Sequence, residues 1–213
     1  MDIVTDSVNR LEEIIRNSGC EETGVHLDVD PDATTCEYER GACMVASFGG
    51  RNAEFVTDDP LRATTKISFM YGVPLEMPGV RAAACAIINV ATAFFCLTRV
   101  RRACPAKSHA ACLHELTGEL RGHRVHCLGR MQALEPSLGS SVTKKPEEAD
   151  IILINNEGVI APGTGDLVET WSGKKRIIFL GPSTSGVCRL QQKEHWCPYG
   201  QQTPGSVPDP SQH

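Results

Sequence analysis

A chain of 213 residues, 41% apolar and 22% charged, is long enough to bury a core as one domain or as two small ones. Its net charge of -5 and pI near 5.8 exclude the broad basic surface that phosphate contacts require, so no nucleic-acid partner is expected. The short basic cluster Arg99, Arg101 and Arg102 reads as solvated residues following a helix.

The N-terminus has no basic stretch followed by an uninterrupted apolar one. No secretion signal is read there, and a cytoplasmic location is expected. Val8, Leu11, Ile14 and Ile15 recur at helical spacing instead, and Ser18-Gly19 closes the helix. Next, "ACMVASF" and "AEFVTD" read as strands around a Gly49-Gly50 turn. Residues 1–76 are therefore expected to form a small α+β part, with "GVPLEMPGV" connecting it to the larger C-terminal part.

The longest apolar run, Ala82 to Leu97, is shorter than the roughly 18–20 residues of a membrane span. It is rich in alanine and carries Asn89, which predicts a buried helix and no membrane partner. A helix over Lys107–Leu120 comes next. Then come three short apolar segments bounded by turn residues: "HRVHCLG" from His123, "DIILINN" from Asp150 and "RIIFLG" from Arg176. Each reads as a strand buried on both faces, with a helix over Gly163–Lys174 between the last two. Alternating strands and helices predict a Rossmann-like parallel-sheet α/β layer over residues 77–200. The stretch 201–213, rich in Pro, Gly, Ser and Gln, is expected to be a disordered tail.

In open parallel sheets, ligands bind beyond the carboxyl ends of the strands. That rule selects Gly129, Asn155, Glu157, Thr164 and the run Gly181, Pro182, Ser183, Thr184, Ser185 as lining a crevice. Turn amides and hydroxyls there would suit an anion, and Glu157 a metal or a cationic group. The chain has no GxGxxG fingerprint, no P-loop and no GxSxG elbow.

Ten cysteines without an export signal are expected to be reduced thiols or metal ligands. Cys104, His109, Cys112 and His114 cluster, as do Cys188, His195 and Cys197. Cys36 with Cys43 form a further pair, and His123, His126 and Cys127 lie on or beside one strand. None of these has the spacing of a zinc knuckle or a ferredoxin. Burial as small hydrophobes is the plain account of several, Cys85 and Cys96 among them. Cys188, His195, Cys197, Cys104 and Cys112 are the expected metal set, for zinc, iron or nickel.

"MPGVRAAACAIINVATA", "LRGHRVHCLGRMQALE", "EEADIILINNEGVIAPGTGDLVETW" and "KRIIFLGPSTSG" resemble, in the same order, segments of domain-of-unknown-function family 364, described as a heavy-metal chelation domain. The resemblance spans about residues 77–186. It implies a Rossmann-like C-terminal part, a smaller N-terminal α/β part, and metal or metallocofactor handling. The chain departs from the family at Ser185, where proline is usual, and in "APGTG", which keeps Gly163 and Thr164. No catalytic residue is carried over.

The expected function is binding of a metal ion, or of an anionic or metal-containing small molecule, at the strand-end crevice. Two alternatives stay open: an enzyme using a nucleotide or S-adenosylmethionine in the same crevice, and a non-catalytic scaffold with structural cysteines. A homo-oligomer is compatible with each.

Overall fold

The computed structural model describes residues 2–202. The tail expected at 201–213 lies outside them except for Gln201 and Gln202, and Gln201 bridges antiparallel to Arg102.

Helix α1 spans Ile3–Ile15. Asp2 caps it, its carboxylate accepting from Thr5 N at 3.0 Å, so one of the first unpaired amides is satisfied. Ile3, Val4, Val8, Leu11 and Ile15 are buried; each such side chain contributes about 1.5–3 kcal/mol. Ile14, expected on the same stripe, is exposed.

Four strands then form an antiparallel sheet in the order β3-β2-β1-β4: β1 Gly24–Asp30, β2 Ala42–Phe48, β3 Arg51–Thr57 and β4 Ala63–Lys66. β2 and β3 pair from Phe48↔Arg51 inward. This two-residue hairpin needs positive φ at both central positions, and Gly49 and Gly50 supply 54° and 75°. In β1, Val25 and Leu27 face the core while His26 and Asp28 face outward.

Helix α2, Pro78–Phe94, begins with proline at its first turn, where the missing N–H leaves no bond unmade. It is buried along nearly its whole length, between two layers. Val25, Leu27, Met44 and Phe55 of the antiparallel sheet share one core with it. So do Ile152, Ile154, Ile177 and Phe179 from the second sheet. Its many alanines let the backbone lie close to neighbours on both sides.

The second sheet is parallel, with strands β5 Val125–Leu128, β6 Ile151–Ile154, β7 Arg176–Leu180 and β8 Glu194–Trp196 in the order β5-β6-β7-β8. Helix α3, His109–Glu119, precedes it. Its connections carry α4 Glu135–Leu138, α5 Asn156–Ile160, α6 Thr164–Trp171 and α7 Ser185–Leu190. Its other face, with Val125, Ile151, Leu153, Ile178 and Leu180, packs on Cys112, Leu116 and Leu120 from α3 and its end. Apolar residues on both faces explain why β6 reads as an unbroken apolar run. The chain is thus α/β, with a parallel sheet flanked by helices and an antiparallel sheet beside it. No helix among the described residues is long and apolar enough to cross a membrane.

Candidate functional site

The four parallel strands run in chain order, so the described sheet has no point where strand order reverses and helices part to open a crevice. The carboxyl edge is covered instead by the β1–β2 connection. Asn155, just past β6, donates from Nδ2 to Tyr38 O at 2.8 Å and to Arg130 O at 2.9 Å. Asn156 donates to Arg40 O at 2.9 Å and to Val56 O at 2.8 Å. Past β7, Ser183 N donates to Glu39 Oε1 at 2.9 Å, and Ser183 Oγ accepts from Val56 N at 2.9 Å. Asn89 of α2 joins the same network, donating to Ser183 O and Glu54 O and accepting from Gly186 N.

The residues expected to line a crevice divide accordingly. Asn155, Thr164, Gly181, Pro182, Ser183, Thr184 and Ser185 are buried. Thr164 Oγ1 donates to Gly158 O at 2.6 Å, and Thr184 Oγ1 to Leu180 O at 3.0 Å. Gly129, with φ 92°, packs against Asn155 so closely that a β-carbon there would overlap its amide. Glu157 accepts from Arg130 N at 2.9 Å and pairs with the Arg130 guanidinium at 2.8 Å. Partial burial raises its carboxyl, but the Arg130 hydrogen bonds and charge outweigh that and hold it below the usual range. Ser185 Oγ is buried without a hydrogen-bond partner.

The acid that matters at this edge is Glu39. It is buried, and its Oε2 has no partner. Burial pushes its carboxyl up to about 8, against the hydrogen bonds from Ser183 and helped by the charge of Glu54. Gly181 sits against it with φ 80° and ψ 167°. Glu54, on β3, is pushed up by burial to about 7, although it accepts from Ala103 N at 2.9 Å and lies 3.7 Å from Arg102.

The five expected metal ligands separate. Cys188 lies in the core shared with α2, on the opposite face of the parallel sheet from Cys112. Its Sγ donates to Lys193 O at 3.0 Å, and burial pushes the thiol up to about 12. His195 Nε2 bonds to Gly181 O at 2.8 Å, which fixes the proton on that nitrogen, and burial holds its pKa down. Cys104, Cys112 and Cys197 come together with Cys36. Burial raises Cys36 well above the usual thiol range, and the charges of Glu39, Cys197 and Cys104 add to it. Cys197 is raised likewise by burial, then by Glu39, Cys104 and Cys112. Cys104 is pushed up to about 11 by burial and by Cys112. Tyr38 Oη donates to Cys112 Sγ at 3.4 Å. Cys36, Cys104, Cys112, Cys197 and Glu39 therefore lie within electrostatic reach of one another, and Tyr38 touches Cys112. Among the described residues, no three His, Cys, Asp or Glu side chains already stand as a ligand set for a metal ion.

Glu39, Tyr38 and Asn156 are not legible as site residues in the sequence. Cys36 is legible only as a partner of Cys43, which faces Asp30 and Glu54 instead. "TTCEYERG" has no periodicity that says where it packs.

No family model and no curated protein matches the chain. Among solved structures, it is similar to a protein of unknown function from the DUF364 family of Pyrococcus horikoshii, with 13% identity and a TM-score of 0.48, over 85% of this chain and 79% of that one.

Proposed function

We propose that the protein binds a soft metal ion through the thiols beneath the β1–β2 connection, Cys36, Cys104, Cys112 and Cys197, with Glu39 as the carboxyl beside them. The observation that carries this reading is Glu39 Oε2, buried and without a partner, on an acid whose charge acts on the thiols of Cys36 and Cys197. An oxygen so placed is destabilising unless something satisfies it. Thiolate and carboxylate donors together suit zinc, iron or nickel. Among the described residues these donors do not stand as a ligand set, so uptake requires their side chains to move and releases their protons.

The test uses reduced protein, handled without oxygen and titrated with Zn²⁺, Ni²⁺ or Fe²⁺. Bound metal is measured by mass spectrometry, and thiols by their reaction before and after. Stoichiometric uptake that protects about four thiols, and is lost in Cys36→Ser and Cys197→Ser, supports the reading. No uptake by folded protein sinks it and leaves structural cysteines. A thermal shift with nucleotide or S-adenosylmethionine that survives a chelator would favour the enzyme reading instead.

A further inference from the structure

His109 opens α3, and its side chain is 14% exposed. One ring nitrogen, Nδ1, lies 3.4 Å from Glu37 Oε1. The other, Nε2, is buried and has no hydrogen-bond partner. A carboxylate beside Nδ1 favours the neutral tautomer with its proton there, which leaves Nε2 as a buried lone pair with nothing to accept. The other half-buried histidines among the described residues are engaged: His195 Nε2 bonds to Gly181 O, and His126 Nδ1 to Thr143 O.

Cys112 is three residues on from His109, so the two side chains share one face of α3. Cys112 Sγ already accepts from Tyr38 Oη at 3.4 Å, a bond that strengthens when the sulfur is a thiolate. Glu37 stands between Cys36 and Tyr38 in the β1–β2 connection, and its charge also acts on Cys104. A carboxylate on one ring nitrogen with the other nitrogen free is how proteins hold a histidine for a metal: the outer contact fixes the ring and makes the inner nitrogen more basic. If Glu37 and His109 only paired with each other, Nε2 would stay buried and unsatisfied, which is destabilising.

We infer that His109 binds the metal through Nε2, and that Glu37 is the positioning residue that holds its ring. This rests on the metal reading above and narrows it: the site takes a nitrogen together with sulfur, not sulfur alone. Imidazole among thiolates is a zinc set, whereas iron–sulfur clusters are held mostly by cysteine alone, so the preferred ion is zinc. The donors do not stand as a ligand set among the described residues, so thiols turn toward Nε2 on binding. Each thiol that binds releases its proton; the imidazole binds neutral, keeps its proton on Nδ1 and releases none.

Reduced protein is loaded with equimolar Zn²⁺ and read by X-ray absorption at the zinc edge. The expected spectrum has a nitrogen shell at about 2.0–2.1 Å, with the outer-ring signature of imidazole, beside sulfur at about 2.3 Å. His109→Phe should lose the nitrogen shell and that signature. His114→Ala, which changes an exposed histidine of the same helix, should keep both. His109→Phe keeps a ring in the same space, so its denaturation midpoint without metal should stay near the parent's, which separates a lost ligand from a lost fold. Glu37→Ala should weaken Zn²⁺ binding about ten- to a hundredfold, and Glu37→Gln, which still accepts from Nδ1–H, should recover part of that loss. Zinc held by sulfur alone, or a nitrogen shell that survives His109→Phe, overturns the inference and leaves the metal reading standing. Equal affinity in Glu37→Ala and the parent overturns the role of Glu37. No zinc on the folded parent overturns the inference and the metal reading together.

Discussion

Glu39 and Gly181 are fitted to each other: the carboxyl of Glu39 fills the space that a β-carbon at 181 would need. The contact joins the β1–β2 connection to the end of β7, and so fixes how that connection lies on the parallel sheet. Gly181 also adopts φ 80° and ψ 167°, a region essentially reserved for glycine.

Gly181→Ala should therefore destabilise the fold by about 3 kcal/mol or more, the sum of backbone strain and overlap. Adding Glu39→Ala should recover the overlap part and leave the strain. Urea midpoints of the single and double variants measure both. A single variant as stable as the parent would mean the connection does not sit where the structure places it.

The contribution of Glu54 and Glu39 to stability should fall as pH rises from about 4.5 to about 8. Glu54 and Glu39 have folded pKa values of about 7 and about 8, above the ordinary 4.5 of an unfolded glutamate. Between 4.5 and these values the folded chain holds protons that the unfolded chain has released. Each group then removes about 1.4 kcal/mol per pH unit as pH rises through its window. Glu54→Gln should flatten the dependence between about pH 5 and 7 by that slope. Superimposable pH profiles for parent and variant would refute the assignment.

Asn89 donates to two carbonyls and accepts one amide, linking α2 to β3 and to the Ser183 turn. Asn89→Asp keeps shape and acceptor but loses both donations. It should destabilise by about 2–4 kcal/mol at neutral pH, similar to Asn89→Ala, because buried carbonyls lose their partners. Thermal denaturation decides; a near-neutral Asp variant would show that the donations matter little.

Cys96 lies just past α2 with φ 57°, the left-handed position after a helix that glycine adopts freely. Cys96→Gly should stabilise by about 0.5–1 kcal/mol. Cys96 is also the one exposed cysteine and should be the first thiol to react in folded protein, well before Cys36 and Cys197. Mass mapping of a briefly alkylated sample tests the order.

The elements legible in the sequence are those whose burial is written in their own residues. Ile151–Ile154 and Arg176–Leu180 are apolar between polar turns, and the Gly49-Gly50 hairpin declares its own geometry. The strand β1 is marked only by the alternation of Val25, Leu27 and Val29, a weaker signal than an apolar run between turns. β8 is not readable: "EHW" is a strand only because β7 pairs with it. The site is less legible than the fold. Cys104 and Cys112 act electrostatically on Cys197, but the loop that carries Cys36 and Glu39 is placed by bonds to Asn155, Asn156 and Ser183, far along the chain. Helical and strand periods carry no information about such bonds.

The bond from Val56 N to Ser183 Oγ spans 127 residues. During synthesis at about 5–20 residues per second, β3 waits roughly 6–25 s for the serine that closes its amide. For the later part of that interval, once Pro78–Phe94 has been made, the inner face of the antiparallel sheet can have α2 beside it but not the turn after β7. A nascent chain stalled before Gly181 should thus present this sheet and the Cys36 loop to chaperones and oxidants, whereas the released chain keeps both covered.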